Sequence, residues 1–275
     1  DLLEQIHSMQ KQESTAYKVS QDYFRDVVGR CMLNSLMISP LERKVMLSWA
    51  YDIVDLCNIE RHVAVTAITY LDRFIADNFN RCEKTSSPAV LCFIGCLNIP
   101  LKNCAGMKVE SEFVSNVLCR GLYEEEEILN MEMEVLQGLS WRLNRPTAID
   151  FLPPNQYDFK IKTLIRTAEV QVERAMLDYS LGLQEPSSVA YSPILIALDS
   201  IGQKYCGKED FHSINKFLWM QSIAMTAGLN MDGVSIHIVH NRMVEACSDF
   251  TTCHKSGTSR GLSPRTRISN SLCLL

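Results

Sequence analysis

The stretch Ser39-Pro-Leu-Glu-Arg-Lys-Val-Met-Leu-Ser-Trp-Ala-Tyr-Asp-Ile-Val-Asp-Leu-Cys57 decides the fold class. Ser39, Pro40 and Glu42 fall at the N-cap, N1 and N3 positions of a helix, where a hydroxyl, a missing amide and a carboxylate satisfy the free donors of a helix start. Behind them Val45, Met46, Trp49, Ile53 and Leu56 recur at steps of three and four, which predicts one apolar helical stripe ending near Cys57 and Asn58.

The same period continues outward. Residues 60–79 place Val63, Ala64, Ala67, Ile68, Leu71, Phe74 and Ile75 on a single face. Ser86-Ser-Pro88 repeats the start signal, and Ala89–Leu101 is apolar around its whole circumference, a pattern only a helix surrounded by others tolerates. It is also too short to cross a bilayer, which needs roughly 20 residues. A shorter helix is expected around Glu110–Leu118. A fifth runs from Glu124 through Ile128, Met131, Val135 and Leu136 to Gly138, expected as a left-handed terminator. The run Glu124–Glu127 is read as helix-start chemistry, acids beside free amides, rather than as a binding patch.

Pro146, Pro153 and Pro154 mark a break. Beyond it helices are expected at about 160–180, 187–202, 209–214, 215–228 and 232–248, with Ser187 and Asp232 as caps. The predicted fold class is all-α: two tandem five-helix bundles, residues 39–152 and 153–248. An amino-terminal helix or arm over residues 1–38 precedes them, with Tyr17, Val19, Tyr23 and Phe24 as its anchors. A Ser, Thr, Gly and Arg rich tail over residues 249–275 follows, without an apolar face and so expected to be disordered.

With 47% hydrophobic and 21% charged residues the chain can bury cores, and a net charge of −5 argues against coating a nucleic acid. A protein partner fits better. The 11 cysteines form no C-x-x-C pair, and Cys92 and Cys96 sit inside an apolar run, as core thiols of a reducing compartment, nucleus or cytoplasm. No phosphate-cradling glycine loop and no nucleophile–base set appears, so neither an enzyme nor a cofactor is expected. His237 and His240 lack a third ligand, and no metal is expected.

One pattern is sharper. Arg43-Lys-Val-Met-Leu-Ser-Trp49, followed after 20 residues by Tyr70-Leu-Asp-Arg-Phe74, resembles the amino-terminal cyclin box. The resemblance implies that Arg43 and Asp72 form a buried structural ion pair. Cys96-Leu-Asn-Ile-Pro-Leu-Lys102 and Asn130-Met-Glu-Met-Glu-Val-Leu136 fill the places of a Lys and a Glu that hydrogen-bond to backbone of a kinase's regulatory helix and adjoining loop. By resemblance these are Lys102 and Glu132, with Leu136, Trp141 and Leu143 as apolar groups against the same surface. The implied role is a regulatory subunit that binds and activates a cyclin-dependent serine/threonine kinase in cell-cycle control. The likeness is specific over residues 40–152 and looser over 153–248. Details such as Trp49-Ala-Tyr-Asp-Ile-Val-Asp-Leu-Cys57 resemble the divergent cyclins of diatoms and related algae more than animal A or B types.

The chain also departs from that pattern. Asn103, Cys104 and Ala105 follow Lys102 where an aromatic residue and acids are usual, and Pro100, two residues before Lys102, removes a helical hydrogen bond in the last turn and leaves the direction of the Lys102 side chain open. Val45, Met46 and Trp49 occupy the apolar positions of a candidate substrate-docking patch. Glu42 and Val90 stand where Met and Gln are usual, giving an acidic rim suited to substrates with basic motifs. Two other roles stay open: a cyclin-fold scaffold in transcription, and a degenerate cyclin that binds without activating. Ser263-Pro264, among Arg260, Arg265 and Arg267, is a candidate proline-directed phosphosite.

Overall fold

The computed structural model describes residues 2–15, 17, 22, 38–81, 88–103, 111–152, 159–205 and 238–245. Its helices are α1 (Leu2–Ser14), α2 (Pro40–Leu56), α3 (His62–Arg81), α4 (Ala89–Asn103), α5 (Ser111–Phe113, running on as a π turn over Val114–Leu118), α6 (Glu125–Gly138), α7 (Phe159–Ala175), α8 (Tyr179–Gly182) and α9 (Pro186–Tyr205). Residues 238–245 are helical too, and no strand occurs among the described residues. Two compact units form: one holds α2–α6, the other α1 with α7–α9 and residues 238–245.

In the first unit α2 begins as its sequence dictates. Ser39 Oγ accepts the Glu42 amide at 3.2 Å, and Glu42 Oε2 accepts the Ser39 amide at 2.7 Å. Its core face is Met46, Leu47, Trp49, Ala50, Ile53 and Val54. Val45 is half-buried and Leu56 exposed, so the stripe is rotated from the expected one because Leu47, Ala50 and Val54 complete it. All seven expected residues of α3 are buried. Helix α4 has no outward face from Leu91 to Leu101 and packs on both α3 and α6.

Two glycines set the close approaches. A Cβ on Gly95 would lie 3.0 Å from Met131 Cγ and 3.3 Å from the Glu132 nitrogen, so α4 meets α6 almost backbone to backbone. A Cβ on Gly138 would come within 2.6 Å of Phe74 Cε2. Gly138 is not the left-handed terminator that the sequence suggests. It closes α6, and the left-handed residues are Ser140 (φ 53°) and Trp141 (φ 59°). Pro100 lies inside α4, which continues to Asn103.

At the α2–α3 junction Arg43 Nε donates to Asp72 Oδ1 at 2.9 Å and Nη2 to Oδ2 at 2.8 Å, with side chains 0% and 8% exposed. This two-pronged contact fixes the angle between the helices as well as their distance.

In the second unit α7 buries Ile165, Ala168, Val172 and Ala175. The single helix expected at 160–180 is broken, because Asp178 Oδ1 accepts the amides of Ser180 (2.9 Å) and Leu181 (3.2 Å) and starts α8. Burial opposes ionisation of Asp178, yet the Ser180 hydroxyl and the Leu181 amide, which donate to Oδ1, and Arg242, whose Nη2 donates to Oδ2 at 2.9 Å, hold its carboxyl below the usual range. Ser187 is not a cap but lies inside α9, behind Pro186. Its amide donates to Glu13 Oε2 at 3.1 Å and its hydroxyl to Glu13 Oε1, tying α1 to the first turn of α9. Ile6, Gln10 and Glu13 make the buried face of α1. Val19, Tyr23, Phe24, the segments expected at 209–214 and 215–228, Asp232 and residues 249–275 lie outside the described residues.

Two outcomes are expected. Asp72→Ala leaves the Arg43 charge buried without its partner and should cost about 3 to 5 kcal/mol, read from a urea unfolding midpoint. A midpoint equal to wild type would show that the pair contributes nothing. Burial pushes the Glu13 carboxyl above its ordinary 4.5, against the Ser187 hydrogen bonds, with Glu185 raising it and Arg145 lowering it. Folding therefore favours protonation of this carboxyl relative to the unfolded chain. The stability it adds is complete below pH 4.5 and is lost as pH rises through the higher folded value. Melts of wild type against Glu13→Gln across mildly acidic pH should show that slope in wild type alone.

Candidate functional site

Lys102 lies at the end of α4 and Glu132 in the middle of α6, 30 residues apart in sequence. The close crossing at Gly95 brings Lys102 Nζ to 2.6 Å from Glu132 Oε2. The side chains are 34% and 13% exposed, so the cation is open to solvent and the carboxylate is largely enclosed. Asn98, one turn before Lys102 on α4 and fully buried, donates its Nδ2 to the same Oε2 at 2.6 Å. Its Oδ1 has no partner, and no donor reaches Glu132 Oε1 among the described residues. Glu132 Oε1 is thus left as an open acceptor beside the two N–H of Lys102 that Glu132 does not engage.

Apolar groups continue the surface. The core side of α6 is Ile128, Met131 and Val135, while Leu129 and Met133, three before and one after Glu132, are exposed. Leu136 is nearly buried at the edge. Past the helix the chain reverses through Ser140 and Trp141, and the Trp141 amide donates to Leu136 O at 2.9 Å. A bulky side chain at φ 59° is uncommon and costs on the order of 1 to 3 kcal/mol. Neighbouring contacts hold it: on α3, Arg73 Nη1 donates to Arg142 O at 2.8 Å and Tyr70 Oη donates to Leu143 O at 2.9 Å. The result is an indole 60% exposed on a rigid turn, with Leu143 half-buried beyond it.

Other candidates fall elsewhere. Met46 and Trp49 are buried, Trp49 against Phe93 with ring centroids 6.2 Å apart, so of the three docking-patch residues only Val45 reaches solvent, beside the exposed Leu41. Ser263 and His237 lie outside the described residues. No group of three or more His, Cys, Asp or Glu that could hold a metal occurs among the described residues. Cys92 and Cys119 are buried thiols, with burial pushing each up to about 12, far from thiolate chemistry. The acids Glu124–Glu127 open α6, with Glu127 Oε2 accepting the Glu124 amide at 2.8 Å. No described helix is long and apolar enough to cross a membrane.

Sequence reasoning missed Asn98, Tyr70, Arg73, Leu129 and Met133. The last two carried a signal, because they are large apolar residues set off the core stripe of α6.

Residues 4–144 match the family model described as Cyclin, N-terminal domain. The Cyclin-A1-3 of Oryza sativa subsp. japonica is 24% identical over 175 residues, which cover 58% of this chain and 33% of that protein. The G1/S-specific cyclin-D2 of Rattus norvegicus is 24% identical over 189 residues, covering 65% and 59%. The chain thus spans less than two thirds of the length of these curated relatives. The X-ray structure of a viral cyclin from herpesvirus saimiri matches with a TM-score of 0.57 at 14% identity, covering 90% of this chain and 98% of that one, a likeness of fold.

Truncating the two partners should have unequal effects. Glu132→Ala leaves the buried Asn98 Nδ2 without an acceptor and should cost about 1 to 3 kcal/mol in urea unfolding. Lys102→Ala removes a half-open cation and should cost less than about 1 kcal/mol. Equal losses would show that Asn98 does not depend on Glu132.

Proposed function

The chain belongs to the cyclin family, residues 4–144 of 275 matching that family's amino-terminal domain, and from this we propose that it is the regulatory subunit of a cyclin-dependent serine/threonine kinase. The observation that carries the reading is the pairing of Lys102 with Glu132 at 2.6 Å on one face, flanked by Leu129, Met133 and Trp141.

Each part has a task in such a complex. The Lys102 ammonium, with three donors and one of them engaged by Glu132, donates to backbone carbonyls of the kinase's regulatory helix and adjoining loop. Glu132 accepts backbone amides on its open Oε1. Leu136, Trp141 and Leu143 supply the apolar contact. Because the turn at Ser140 and Trp141 is anchored by Tyr70 and Arg73, the indole is presented with little further ordering to do on binding. Binding the active arrangement of the kinase more tightly than the inactive one shifts its population, and the kinase itself then carries out phosphoryl transfer. Work in the nucleus or cytoplasm during cell division fits this role. Substrates with basic motifs would reach it through Val45 and the acidic Glu42 rather than through the buried Met46 and Trp49.

The test keeps the fold intact. Glu132→Gln retains an acceptor for Asn98, and Lys102→Ala leaves the core untouched. Charge-assisted hydrogen bonds contribute about 1.5 to 3 kcal/mol each, so the double variant should bind a cyclin-dependent kinase two to four decades more weakly, by roughly 2.7 to 5.5 kcal/mol. A pull-down and kinase assay with purified protein that melts like wild type reads this directly. Full binding and activation by the double variant would refute the assignment of Lys102 and Glu132.

A further inference from the structure

Helix α6 carries five carboxylates, Glu125, Glu126, Glu127, Glu132 and Glu134, and no basic side chain. Their duties differ. Glu127 is engaged by the capping box and Glu132 by Asn98 and Lys102. Glu125 and Glu126 are exposed and form no ion pair among the described residues. At 3.6 residues per turn, Glu125, Leu129, Glu132, Met133 and Leu136 fall within about 100° of the helix circumference, with Glu126 at its border. The face that holds the exposed apolar pair is thus the face that holds the negative charge.

A second observation concerns the groups around that charge. Glu132 Oε1 has no donor among the described residues, and the cation beside it, Lys102, is already drawn onto Oε2. Leu129, Met133 and Trp141 are exposed on the same surface. So the surface has an apolar centre and a carboxylate rim whose charge Lys102 offsets only in part. An acidic counterpart would be repelled, and a neutral apolar one would leave the carboxylates unmatched.

Resting on the kinase reading above, we infer that the surface docking on α6 is net basic, with Lys or Arg side chains around an apolar patch, and that charge steers the encounter. The pairs across such a rim stay partly solvated, so they act on the rate of association more than on residence time. They are screened once the Debye length falls from about 10 Å at 0.1 M salt to about 3 Å at 1 M.

The experiment measures association of the full chain with the catalytic subunit of a cyclin-dependent kinase, in stopped flow, between about 0.05 and 0.5 M sodium chloride. Wild type should associate at least about tenfold more slowly at the high end. Glu125→Gln/Glu126→Gln should start about three- to tenfold below wild type at low salt and show a shallower salt dependence, with dissociation moving less. The single variant Glu126→Gln should fall between them, which covers the case of a double variant that folds poorly. Glu60→Gln, on the link between α2 and α3, removes the same charge from another element and should follow wild type. A rate that is flat or rises with salt, or a Glu126→Gln rate equal to that of Glu60→Gln, overturns the charge inference and leaves the kinase reading standing. Absence of association at every salt concentration overturns both.

Discussion

A helix without a polar face can persist in water only as the axis of a bundle, and α4 is such a helix from Leu91 to Leu101. Much of the first unit follows from covering it. Helix α3 lies along it with Val63, Ala67, Leu71 and Phe74 turned inward, and α6 crosses it at Gly95, where a side chain would crowd Met131 and the Glu132 backbone. The Arg43–Asp72 pair then sets α2 against α3. A buried ion pair is a poor source of net stability, but its two-pronged geometry admits few alternatives, so its contribution here is to register.

The candidate site is a by-product of that crossing. Because α4 and α6 approach so closely at Gly95, polar groups one and two turns further along α4 meet the middle of α6, and Asn98 and Lys102 converge on one oxygen of Glu132. The other end of α6 is shaped differently. Gly138 is needed for the space beside Phe74, so the helix has no glycine left to end on, and Ser140 and Trp141 take the left-handed conformations instead. That backbone is held by hydrogen bonds from Tyr70 and Arg73, residues on either side of the Asp72 that orients α3. Strain at the exposed indole and order at the buried ion pair thus belong to one short segment.

Helical periodicity made the first unit legible. Ser39, Pro40 and Glu42 marked the start of α2, the apolar run marked α4 as central, and Lys102 and Glu132, singled out separately from the sequence, lie 2.6 Å apart. What the sequence hid was geometry between elements. Leu56 fits a stripe by spacing yet lies in the last turn of α2, where its side chain is half exposed. Asp178 reads as one polar residue in a helical pattern, and only its amide bonds to Ser180 and Leu181 show a helix beginning. Ser187 has the chemistry of a cap but serves as a donor to Glu13, 174 residues away, a partner no local rule reveals. Asn98 was concealed by its company, since a single amide in an apolar run gives no sign of which helix it will face.

Pro100 lies inside α4 and leaves the Lys102–Glu132 contact in place. A proline inside a helix removes one amide hydrogen bond and crowds the carbonyl four residues earlier, here Cys96. Gly95, Asn98 and Lys102 are spaced three and four apart and share one side of α4, the side toward Met131 and Glu132. Pro100 is two residues from both Asn98 and Lys102, a spacing that places it well around the helix from them. The direction of Lys102 is set by contact with α6, through a crossing two turns earlier and a carboxylate at 2.6 Å, rather than by the hydrogen bonds of its own last turn. A local defect in α4 is therefore decoupled from the group it seemed placed to disturb.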